Sequence, residues 1–503
     1  MELKTGRAAA SISIDHHQPQ SHPTKVDITK KSVSGTSDSD DDLYQDVVSQ
    51  FPFLNGYSHI AFLFQPPNVD DASQQDTIIT NVRDAVDKLT AQIPWLAGRV
   101  LHTPGPPGCS SSGHYTMAPW PSDAPKNEIV HVNHCEDLMP PMTRILRAGA
   151  PISLLDDKTL IPCPSLPIPH GLEPPPVLII RLNFLRGGLI VNMSTHHMAI
   201  DGTGLVQIMR LLANILQGRE EIPSAELEQA NRDRRRVVPL VPPGEPVKDH
   251  SHLRAPPGHV TAPPSSPPKW CCFKLPILSL PALRKNATPP PSASSLSSPQ
   301  QLSDNDVLCA FFWQRITASR LARGFSPDTL TKMTRTIDAR GAVGVPVTYM
   351  GHLTYYSVTQ LPMGQVASLP LSSIAQILRR ELNAANTPWS IRSYATFMSR
   401  EPDKSRLVYA GLRNLDTDLG VTAFSASQSI GQETDGSAMP DSFGPVLGQL
   451  KHTRRPNVFP LTGGITLCPI EGGALPIVMC MPEADLDALQ KDSEWRHYTR
   501  YIG

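Results

Sequence analysis

Runs of apolar residues with regular spacing predict the first strand and the first helix of the chain. Tyr57–Phe64 (YSHIAFLF) is dense in aromatic and β-favouring residues, which is typical of a strand. Over Ile78–Ile93, apolar residues recur at positions 78, 79, 82, 86, 89 and 93, which is the spacing of a helix with one buried face. Pro94 follows directly and is expected to end this helix, because proline interrupts the helical hydrogen-bond pattern.

A second region predicts strands followed by an amphipathic helix. Val177–Met193 (VLIIRLNFLRGGLIVNM) predicts two strands joined by a turn at Arg186–Gly188. After the polar segment STHHMAIDGTG, the apolar positions of Leu205–Leu216 again follow a helical period, and Gly218 is expected to end that helix. The polar segment therefore lies between a strand and a helix, where a loop presents side chains at the edge of a sheet.

The C-terminal part of the chain repeats this mixture. Cys271–Leu275 predicts a strand, and Ser303 with Asp306 is a candidate capping box that opens the helix DNDVLCAFFWQRITASRLA. Further short strands are predicted at TRTID, GHLTYYSV, GITLCPI and LPIVMCM. Strands mixed with helices in both halves predict an α/β fold, without the βαβ repeat or the G-x-G-x-x-G run of a dinucleotide-binding fold.

The distribution of proline changes the expected number of domains. The chain has 503 residues and 52 prolines, of which 32 lie in residues 101–176 and 239–300. The rest has an ordinary composition and is long enough for about two domains. We expect a disordered leader over residues 1–40, an N-terminal domain over 41–220, a Pro-rich crossover linker over 221–270 and a C-terminal domain over 271–503.

Charge and hydropathy exclude several classes of partner. With 45 basic and 46 acidic residues the formal net charge is −1, so no overall field attracts nucleic acid or an acidic membrane. No apolar run reaches the ~18 residues of a membrane-spanning helix, and the first residues, MELKTGRAAASISIDHH, lack the apolar stretch of a signal peptide. The eight cysteines show no C-x-x-C spacing, and because no signal peptide is evident we expect them to be reduced thiols. These features predict a soluble, cytoplasmic protein.

The polar segment contains the leading candidate for catalysis, the H-x-x-x-D-G sequence from His197 to Gly202, with His196 before it. A histidine in such a loop can act as a general base, because its unperturbed pKa of about 6.5 lets it accept a proton near neutral pH. Asp201 would fix the loop or pair with a distant arginine, and Gly202 would permit a tight turn into the helix. The alternative is a structural histidine at a strand end, with Asp201 capping the helix.

Other chemistry has less support. A metal site made of His196, His197 and Asp201 is disfavoured, because adjacent strand residues point to opposite faces and no further ligand cluster is evident, so no metal is expected. G-x-S-x-G does not occur, and nothing in the sequence indicates an activated thiol at Cys271 or Cys272. A general base without a covalent nucleophile suits direct transfer from an activated donor to an acceptor.

Several segments, in the same order, resemble the BAHD-type acyl-CoA-dependent acyltransferases, especially the fungal branch around trichothecene 3-O-acetyltransferase. HHMAIDG matches the H-x-x-x-D-G motif of that superfamily. The other similar segments are IPWLAGRV (93–100), SDNDVLCAFFWQRI (303–316), TIDARGAVGVPVTYMGH (336–352) and the terminal helix WRHYTRYI (495–502). Two departures stand out, since His352 replaces the Asn of the family and D-F-G-W-G is reduced to DSFGP at 441–445. The second departure is expected to weaken local bracing rather than chemistry.

The resemblance implies two similar chloramphenicol-acetyltransferase-like domains of mixed sheet and helices with a channel between them, and residues of about 440–460 crossing back to the first domain. Acyl-CoA would enter from one face as a co-substrate, without any other cofactor, and the acceptor from the other. His197 would deprotonate the acceptor hydroxyl, and Thr422, close to Phe424, would be a candidate donor to the oxyanion. The alternative for Thr422 is an ordinary strand residue without a catalytic role. Arg340 would be the structural partner of Asp201.

The resemblance also implies binding groups for CoA. Ser303, Lys451, Arg454 and Arg455 are the candidates, because the phosphates need cationic and hydrogen-bonding donors. The alternative for the run KHTRR is a solvated face. The basic run Arg232–Arg236 is interpreted as part of the linker.

The favoured hypothesis is therefore an O-acyltransferase that moves an acyl group, by default acetyl, from acyl-CoA to a hydroxyl of a small secondary metabolite. It would act as a monomer and without a covalent acyl-enzyme. Two alternatives remain, a condensation-type enzyme whose donor thioester is held by a carrier protein and a non-catalytic binding protein of the same fold. The sequence does not distinguish terpenoid, alkaloid and polyketide alcohols as acceptors.

Overall fold

A computed structural model describes residues 46–105, 113–123, 125–163, 175–288, 301–424, 439–456 and 461–503 of the chain. The expected leader over 1–40 lies outside these residues. Residues 40–503 form one compact unit. In the part of the chain that the structure describes, no helix is both long and apolar enough to span a membrane.

The strands follow the apolar runs of the sequence closely. They are β1 (Tyr57–Phe64), β2 (Arg99–Pro104), β3 (Gly113–Ala118), β4 (Val130–His134), β5 (Leu178–Leu185), β6 (Gly188–His196), β7 (Pro268–Pro276), β8 (Leu330–Asp338), β9 (Thr354–Pro362), β10 (Leu419–Ala423), β11 (Leu450–Arg454), β12 (Gly464–Leu467), β13 (Ala474–Pro482) and β14 (Arg500–Tyr501).

The helices include the two amphipathic helices and the capped helix expected from the sequence. They are α1 (Ala72–Gln92), α2 (Met142–Arg147), α3 (Asp157–Leu160), α4 (Gly202–Leu216), α5 (Ser224–Ala230), α6 (Leu280–Ala287), α7 (Asp304–Ala322), α8 (Arg340–Val343), α9 (Met363–Ser368), α10 (Leu371–Ala385), α11 (Pro388–Arg400), α12 (Gly444–Leu447), α13 (Glu483–Leu489) and α14 (Ser493–Tyr498).

Two mixed sheets dominate the described residues and confirm the predicted α/β class. The first has the strand order β11-β1-β6-β5-β4, in which only the β4–β5 pair is parallel. The second has the order β14-β7-β13-β12-β10-β8-β9, with β12, β10 and β8 parallel to one another. Strands β2 and β3 form a small antiparallel pair. The edge strand β11 joins the first sheet although most of the chain separates it from β1.

Each large sheet buries apolar helix faces. The core of the first sheet includes the buried apolar residues of α1 and α4, among them Ile78, Leu89 and Leu205. The core of the second sheet includes α7 and the end of the chain, with Trp313 and Trp495 fully buried. Since burial of apolar area is the main favourable term in folding, these two cores stabilise the two sheets that border the site.

Local predictions are largely confirmed. Strand β1 has the predicted bounds, and Asp201 caps α4, whose C-terminal stop is Gly218 with φ +83°. Ser303 and Asp306 form the predicted capping box of α7. The terminal helix predicted over residues 495–502 is wrong in its second half, because α14 ends at Tyr498. The last residues pair with the free edge of β7 instead, since Tyr501 lies opposite Phe273 and its ring packs on that of Phe273.

Candidate active site

The H-x-x-x-D-G loop connects the end of β6 to the start of α4. His196 is the last residue of β6 and is fully buried, whereas His197, one residue on, lines a cavity. The N–H of His197 donates to the carbonyl of Gly56 at 2.7 Å. The alternation of side chains along a strand therefore separates the two histidines, as expected for residues on opposite faces.

Asp201 is held by four hydrogen bonds. Its carboxylate accepts from the N–H of Gly204 at 2.9 Å and from the N–H of Leu353 at 2.8 Å. Both terminal nitrogens of Arg340 donate to it at 2.9 Å, in a bidentate pair. Burial alone would raise the pKa of Asp201, but the Arg340 charge and hydrogen bonds outweigh it and hold the pKa below its usual value.

The side chain of Arg340, like that of Asp201, forms several hydrogen bonds. Its side chain also donates to the carbonyls of Tyr349 and Gly351 at 3.0 and 2.6 Å and to the carboxylate of Asp338 at 2.9 Å. Asp201 contacts α4, Arg340 and the segment before β9 but makes no hydrogen bond to His197. The pair is thus a structural connection between the loop and the second sheet, and Asp201 does not orient the imidazole of His197.

The imidazole of His197 is partly buried and uncharged. Burial is the main cause that lowers its pKa, and the nearby charge of Arg455 lowers it further, while the backbone carbonyls of His197 and Ile200 and the carboxylate of Asp201 act in the opposite direction. Its Nδ1 is enclosed and makes no hydrogen bond to a side chain of the described residues. Nε2 is therefore the ring nitrogen left for a ligand in the cavity.

His352 lies against His197, with ring centroids 5.5 Å apart. Its Nδ1 donates to the carbonyl oxygen of His197 at 2.9 Å, and its Nε2 lies 2.7 Å from the hydroxyl of Thr354. Burial and then the neighbouring His197 lower the pKa of His352 to about 3. Both ring nitrogens of this neutral histidine are occupied. His196 is likewise neutral, since burial lowers its pKa to about 3.

The cavity has a volume of about 190 Å³ and is bordered by both sheets. Thr422 lines it from β10 and lies in register with Thr466 of β12, which also lines it. Phe424, just after β10, adds an apolar wall. The cavity thus brings His197 and the expected oxyanion donor Thr422 to one space, with further hydroxyl groups contributed by Ser58, Thr195, Thr334, Thr336 and Thr354.

The prediction that a glycine is needed at position 202 to permit a tight turn is wrong. Gly202 does not have a left-handed backbone, and a Cβ there would meet no atom within 4 Å. Gly202 lines the cavity, whereas the constrained glycine is Gly204, where a Cβ would lie 2.2 Å from the carbonyl oxygen of Met350. The close approach of α4 to the segment before β9 requires a glycine at 204.

The four residues expected to bind CoA are placed very differently. Ser303 caps α7 and accepts a hydrogen bond from Arg379 at 2.6 Å. Lys451 is exposed on β11. Arg455 lines the cavity, close to the ring of Trp270, and forms no ion pair with a carboxylate of the described residues. Of the four, only Arg455 borders the space that contains His197.

Arg454 is fully buried and serves as a cross-link. Its guanidinium donates to Glu471 and to the carbonyls of Gly149 and Ala150, at 2.7 and 2.8 Å for the carbonyls. Glu471 also pairs with His452 at 2.7 Å. Hydrogen bonds from His452 and Arg454 outweigh burial and lower the pKa of Glu471 to about 2. Arg454 therefore ties β11 to the turn before β13.

Replacing Glu471 by glutamine is expected to lower the free energy of unfolding at pH 7 by roughly 3 kcal/mol, because Arg454 loses its carboxylate partner. The native pKa of Glu471 is depressed to about 2, so its stabilisation is present above the unfolded pKa of about 4.5 and is lost as pH falls toward 2. Urea unfolding at several pH values should show the difference between the two proteins shrinking below pH 4.5. A difference that stays constant down to pH 3 would contradict the assignment.

One important residue was missed within the linker. Arg234 is buried, pairs with Asp46 at 2.7 Å and donates to the carbonyl of Ala199 at 2.7 Å, inside the H-x-x-x-D-G loop. Its guanidinium lies 4.2 Å from the ring centroid of Trp95. The interpretation of Arg232–Arg236 as plain linker is therefore wrong, because Arg234 forms a hydrogen bond to the backbone of the H-x-x-x-D-G loop.

Two residues of the degenerate D-F-G-W-G segment are closely packed. Phe443 is fully buried, and its ring centroid lies 5.0 Å from that of Phe64. Gly444 has φ +69°, and a Cβ there would lie 2.7 Å from the carbonyl oxygen of Leu216. Phe443 and Gly444 therefore still pack closely on the first sheet and on α4, while weaker bracing by the rest of the segment stays a prediction.

Comparison with known proteins places the chain among the acyltransferases. A family model described as the trichothecene 3-O-acetyltransferase-like N-terminal domain matches residues 57–215, and the Transferase family model matches residues 164–419. The chain is 40% identical to O-acetyltransferase SAT5 of Stachybotrys chartarum, over 94% of this chain and 98% of that protein. It is 36% identical to O-acyltransferase pigD of Monascus ruber, over 91% of this chain and 98% of that protein.

A solved structure supports the same conclusion. The crystal structure of F. graminearum TRI101 complexed with coenzyme A and deoxynivalenol is 25% identical and superimposes with a TM-score of 0.80, covering 91% of this chain and 99% of that one. The chain belongs to the Transferase family, in the branch of the trichothecene 3-O-acetyltransferase-like proteins. The resemblance and the fold class expected from the sequence are thereby confirmed, and the protein is an acyltransferase.

Proposed function

We propose that the protein transfers an acyl group from acyl-CoA to a hydroxyl of a small secondary metabolite, with His197 as the general base. The observation that carries this proposal is the state of His197 in the cavity. It is neutral, its Nδ1 is enclosed, and its Nε2 remains for a ligand. His196 is buried away from the cavity lining and both ring nitrogens of His352 are occupied, so neither competes for the role.

The reaction needs two proton transfers, one from the acceptor hydroxyl to His197 and one from His197 to the departing thiolate. Nε2 of His197 accepts the proton of the acceptor hydroxyl as its oxygen attacks the thioester carbonyl. The carbonyl oxygen becomes an oxyanion, to which the hydroxyl of Thr422 donates a hydrogen bond. Collapse of this tetrahedral intermediate breaks the carbon–sulfur bond, and the departing thiolate takes the proton from His197. The products are the ester and free CoA, and no acyl-enzyme forms.

The acceptor and the acyl group follow from the relatives. TRI101 was crystallised with coenzyme A and deoxynivalenol, and SAT5 is named an O-acetyltransferase. We take a hydroxylated small molecule as acceptor and acetyl as the default donor group, while pigD carries the broader name O-acyltransferase. A cytoplasmic location, a monomeric state and the division into domains at 221–270 remain predictions.

The experiment that tests the proposal compares donors. The purified protein is incubated with a panel of hydroxylated metabolites and with acetyl-CoA, longer acyl-CoAs or the same acyl groups on a pantetheinylated carrier protein, and free thiol and ester are measured. Thiol release from acyl-CoA that depends on the acceptor supports the proposal. Turnover only from the carrier protein selects the condensation-type alternative, and tight binding of a metabolite without thiol release from any donor selects the binding protein.

Arg455 is the candidate cation for CoA that best fits the cavity. Its replacement by glutamine is expected to weaken CoA binding by about tenfold or more, because a charge-assisted contact is lost. Because the Arg455 charge lowers the pKa of His197, its removal raises that pKa and moves the acidic limb of kcat/KM to higher pH. Calorimetry with CoA and a pH profile measure the two effects.

Lys451→Gln is the matched control, since Lys451 lies on the same segment but is exposed. It should leave both the CoA affinity and the pH profile at the values of the unmodified protein. If Arg455→Gln also leaves the CoA affinity and the pH profile unchanged, Arg455 neither binds CoA nor lowers the pKa of His197.

A further inference from the structure

We propose that His352 is a positioning residue, which holds the base in place by donating from Nδ1 to the backbone carbonyl of His197. The inference rests on the proposed function, since it concerns the geometry of the same base. His352 belongs to the segment that precedes β9 of the second sheet, whereas His197 follows β6 of the first sheet. The contact therefore connects the two sheets at the reacting group.

The direction of the hydrogen bonds is determined by their partners. A carbonyl oxygen can only accept, so Nδ1 of His352 carries the proton in its 2.9 Å contact with the His197 carbonyl. Nε2 then has the lone pair and accepts from the hydroxyl of Thr354 at 2.7 Å. Thr354 thereby selects the tautomer that can donate to His197. Because burial holds the pKa of His352 at about 3, the ring stays neutral over the pH range of an enzyme assay.

The base needs such support because no described side chain forms a hydrogen bond that orients its ring. In a catalytic triad a carboxylate bonds to Nδ1 of the histidine, but the carboxylate of Asp201 is committed to Arg340, Gly204 and Leu353. Nδ1 of His197 forms no hydrogen bond to a side chain of the described residues. The position of the ring therefore depends on the backbone of His197.

That backbone is held on both sides. The N–H of His197 donates to the carbonyl of Gly56, at 2.7 Å, and the carbonyl of His197 accepts from His352. Gly56 directly precedes β1, so one anchor comes from each sheet. Losing the His352 anchor would release one end of the peptide group, and a shift of the base by about 1 Å is enough to cost on the order of 100-fold in rate.

The surrounding segment supports this role with contacts from consecutive residues. The carbonyl of Met350 packs on Gly204, the carbonyl of Gly351 accepts from Arg340, and the N–H of Leu353 donates to Asp201. Residues 350–353 therefore pack along the H-x-x-x-D-G loop and the first turn of α4. His352 is the member of this segment that contacts the catalytic histidine itself.

The test compares two substitutions of His352 that differ in one property. His352→Leu has no donor, whereas His352→Asn places an amide donor at a similar distance from the backbone, and asparagine is the residue that the related motif carries at this position. We expect kcat of the leucine variant to fall by about 10- to 100-fold with little change in KM for acyl-CoA. The asparagine variant should recover most of the lost kcat, and Thr354→Val should lower kcat less than the leucine change.

Controls separate a positioning role from simple damage to the fold. His131→Leu makes the same substitution at an exposed histidine of β4 and should leave kcat unchanged. The melting temperatures of both His352 variants should lie close together. Crystal structures of the two variants should show the His197 backbone displaced in the leucine protein and retained in the asparagine protein.

Three outcomes would overturn the inference. They are equal kcat in the leucine variant and the unmodified protein, equal losses in the leucine and asparagine variants, and an unmoved His197 backbone in the crystal structure of the leucine variant. If the unmodified protein itself releases no thiol from acyl-CoA, the proposed function fails, and the crystal structures alone decide whether His352 positions His197.

Discussion

His197→Ala is expected to reduce acyl transfer by about 100- to 10,000-fold, because general-base catalysis contributes a factor of this size. The alanine variant has no group that accepts the proton of the acceptor hydroxyl, while the cavity and Thr422 remain. CoA binding, measured by calorimetry, should therefore change little. The loss should appear in kcat rather than in KM for acyl-CoA, because the interaction is needed mainly in the transition state.

His197→Gln provides a second test of the same assignment. Glutamine retains polar atoms and much of the side-chain volume but cannot accept and return a proton near neutral pH. It should lose about as much activity as alanine if proton transfer is the role of His197. Melting temperatures near that of the unmodified protein would show that neither variant disturbs the fold. Activity within tenfold of the unmodified protein in both variants would rule out His197 as the base.

Asp201→Asn is expected to lower the free energy of unfolding by about 3–5 kcal/mol, because it leaves the buried charge of Arg340 without its bidentate partner. The amide can accept fewer of the four hydrogen bonds that the carboxylate receives from Gly204, Leu353 and Arg340. The activity of the folded fraction should also fall, since the loop that carries His197 is anchored there. Urea unfolding followed by fluorescence measures the stability.

Asp338→Asn is the matched control for this prediction. Asp338 also bonds to Arg340, but 19% of its side chain is exposed, compared with 1% for Asp201. The same chemical change at Asp338 should therefore cost clearly less, because water compensates part of the lost interaction. If the two variants lose the same stability, burial of the Asp201–Arg340 pair is not what makes it important.

The elements around the site could be predicted because their signals are local. The apolar alternation of β1, the helical period of α4 and the Ser303 capping box each depend on residues within one or two turns. The Asp201–Arg340 pair joins residues 139 positions apart, and periodicity alone does not reveal such a partner. It was expected only from the resemblance of the surrounding motifs.

The contacts that were missed are those whose partners lie far along the chain. Arg234 occurs in a run of basic residues, which is typical of a solvated segment, yet it reaches Asp46 across 188 positions. No local pattern distinguishes it from its exposed neighbour Arg236. Arg454 and Arg455 are adjacent in sequence, but Arg454 pairs with Glu471, whereas Arg455 lines the cavity. Only the packing of β11 separates their roles.

The position of β11 has a consequence for biosynthesis. Residues 450–454 supply the outer neighbour of β1, so the ribosome must complete most of the 503-residue chain before the first sheet gains its edge. Until then, one side of β1 exposes unpaired backbone groups that invite association with other nascent chains. A fragment that stops before residue 450 should therefore aggregate, and supplying the remainder as a separate polypeptide should restore solubility if the strand can still insert.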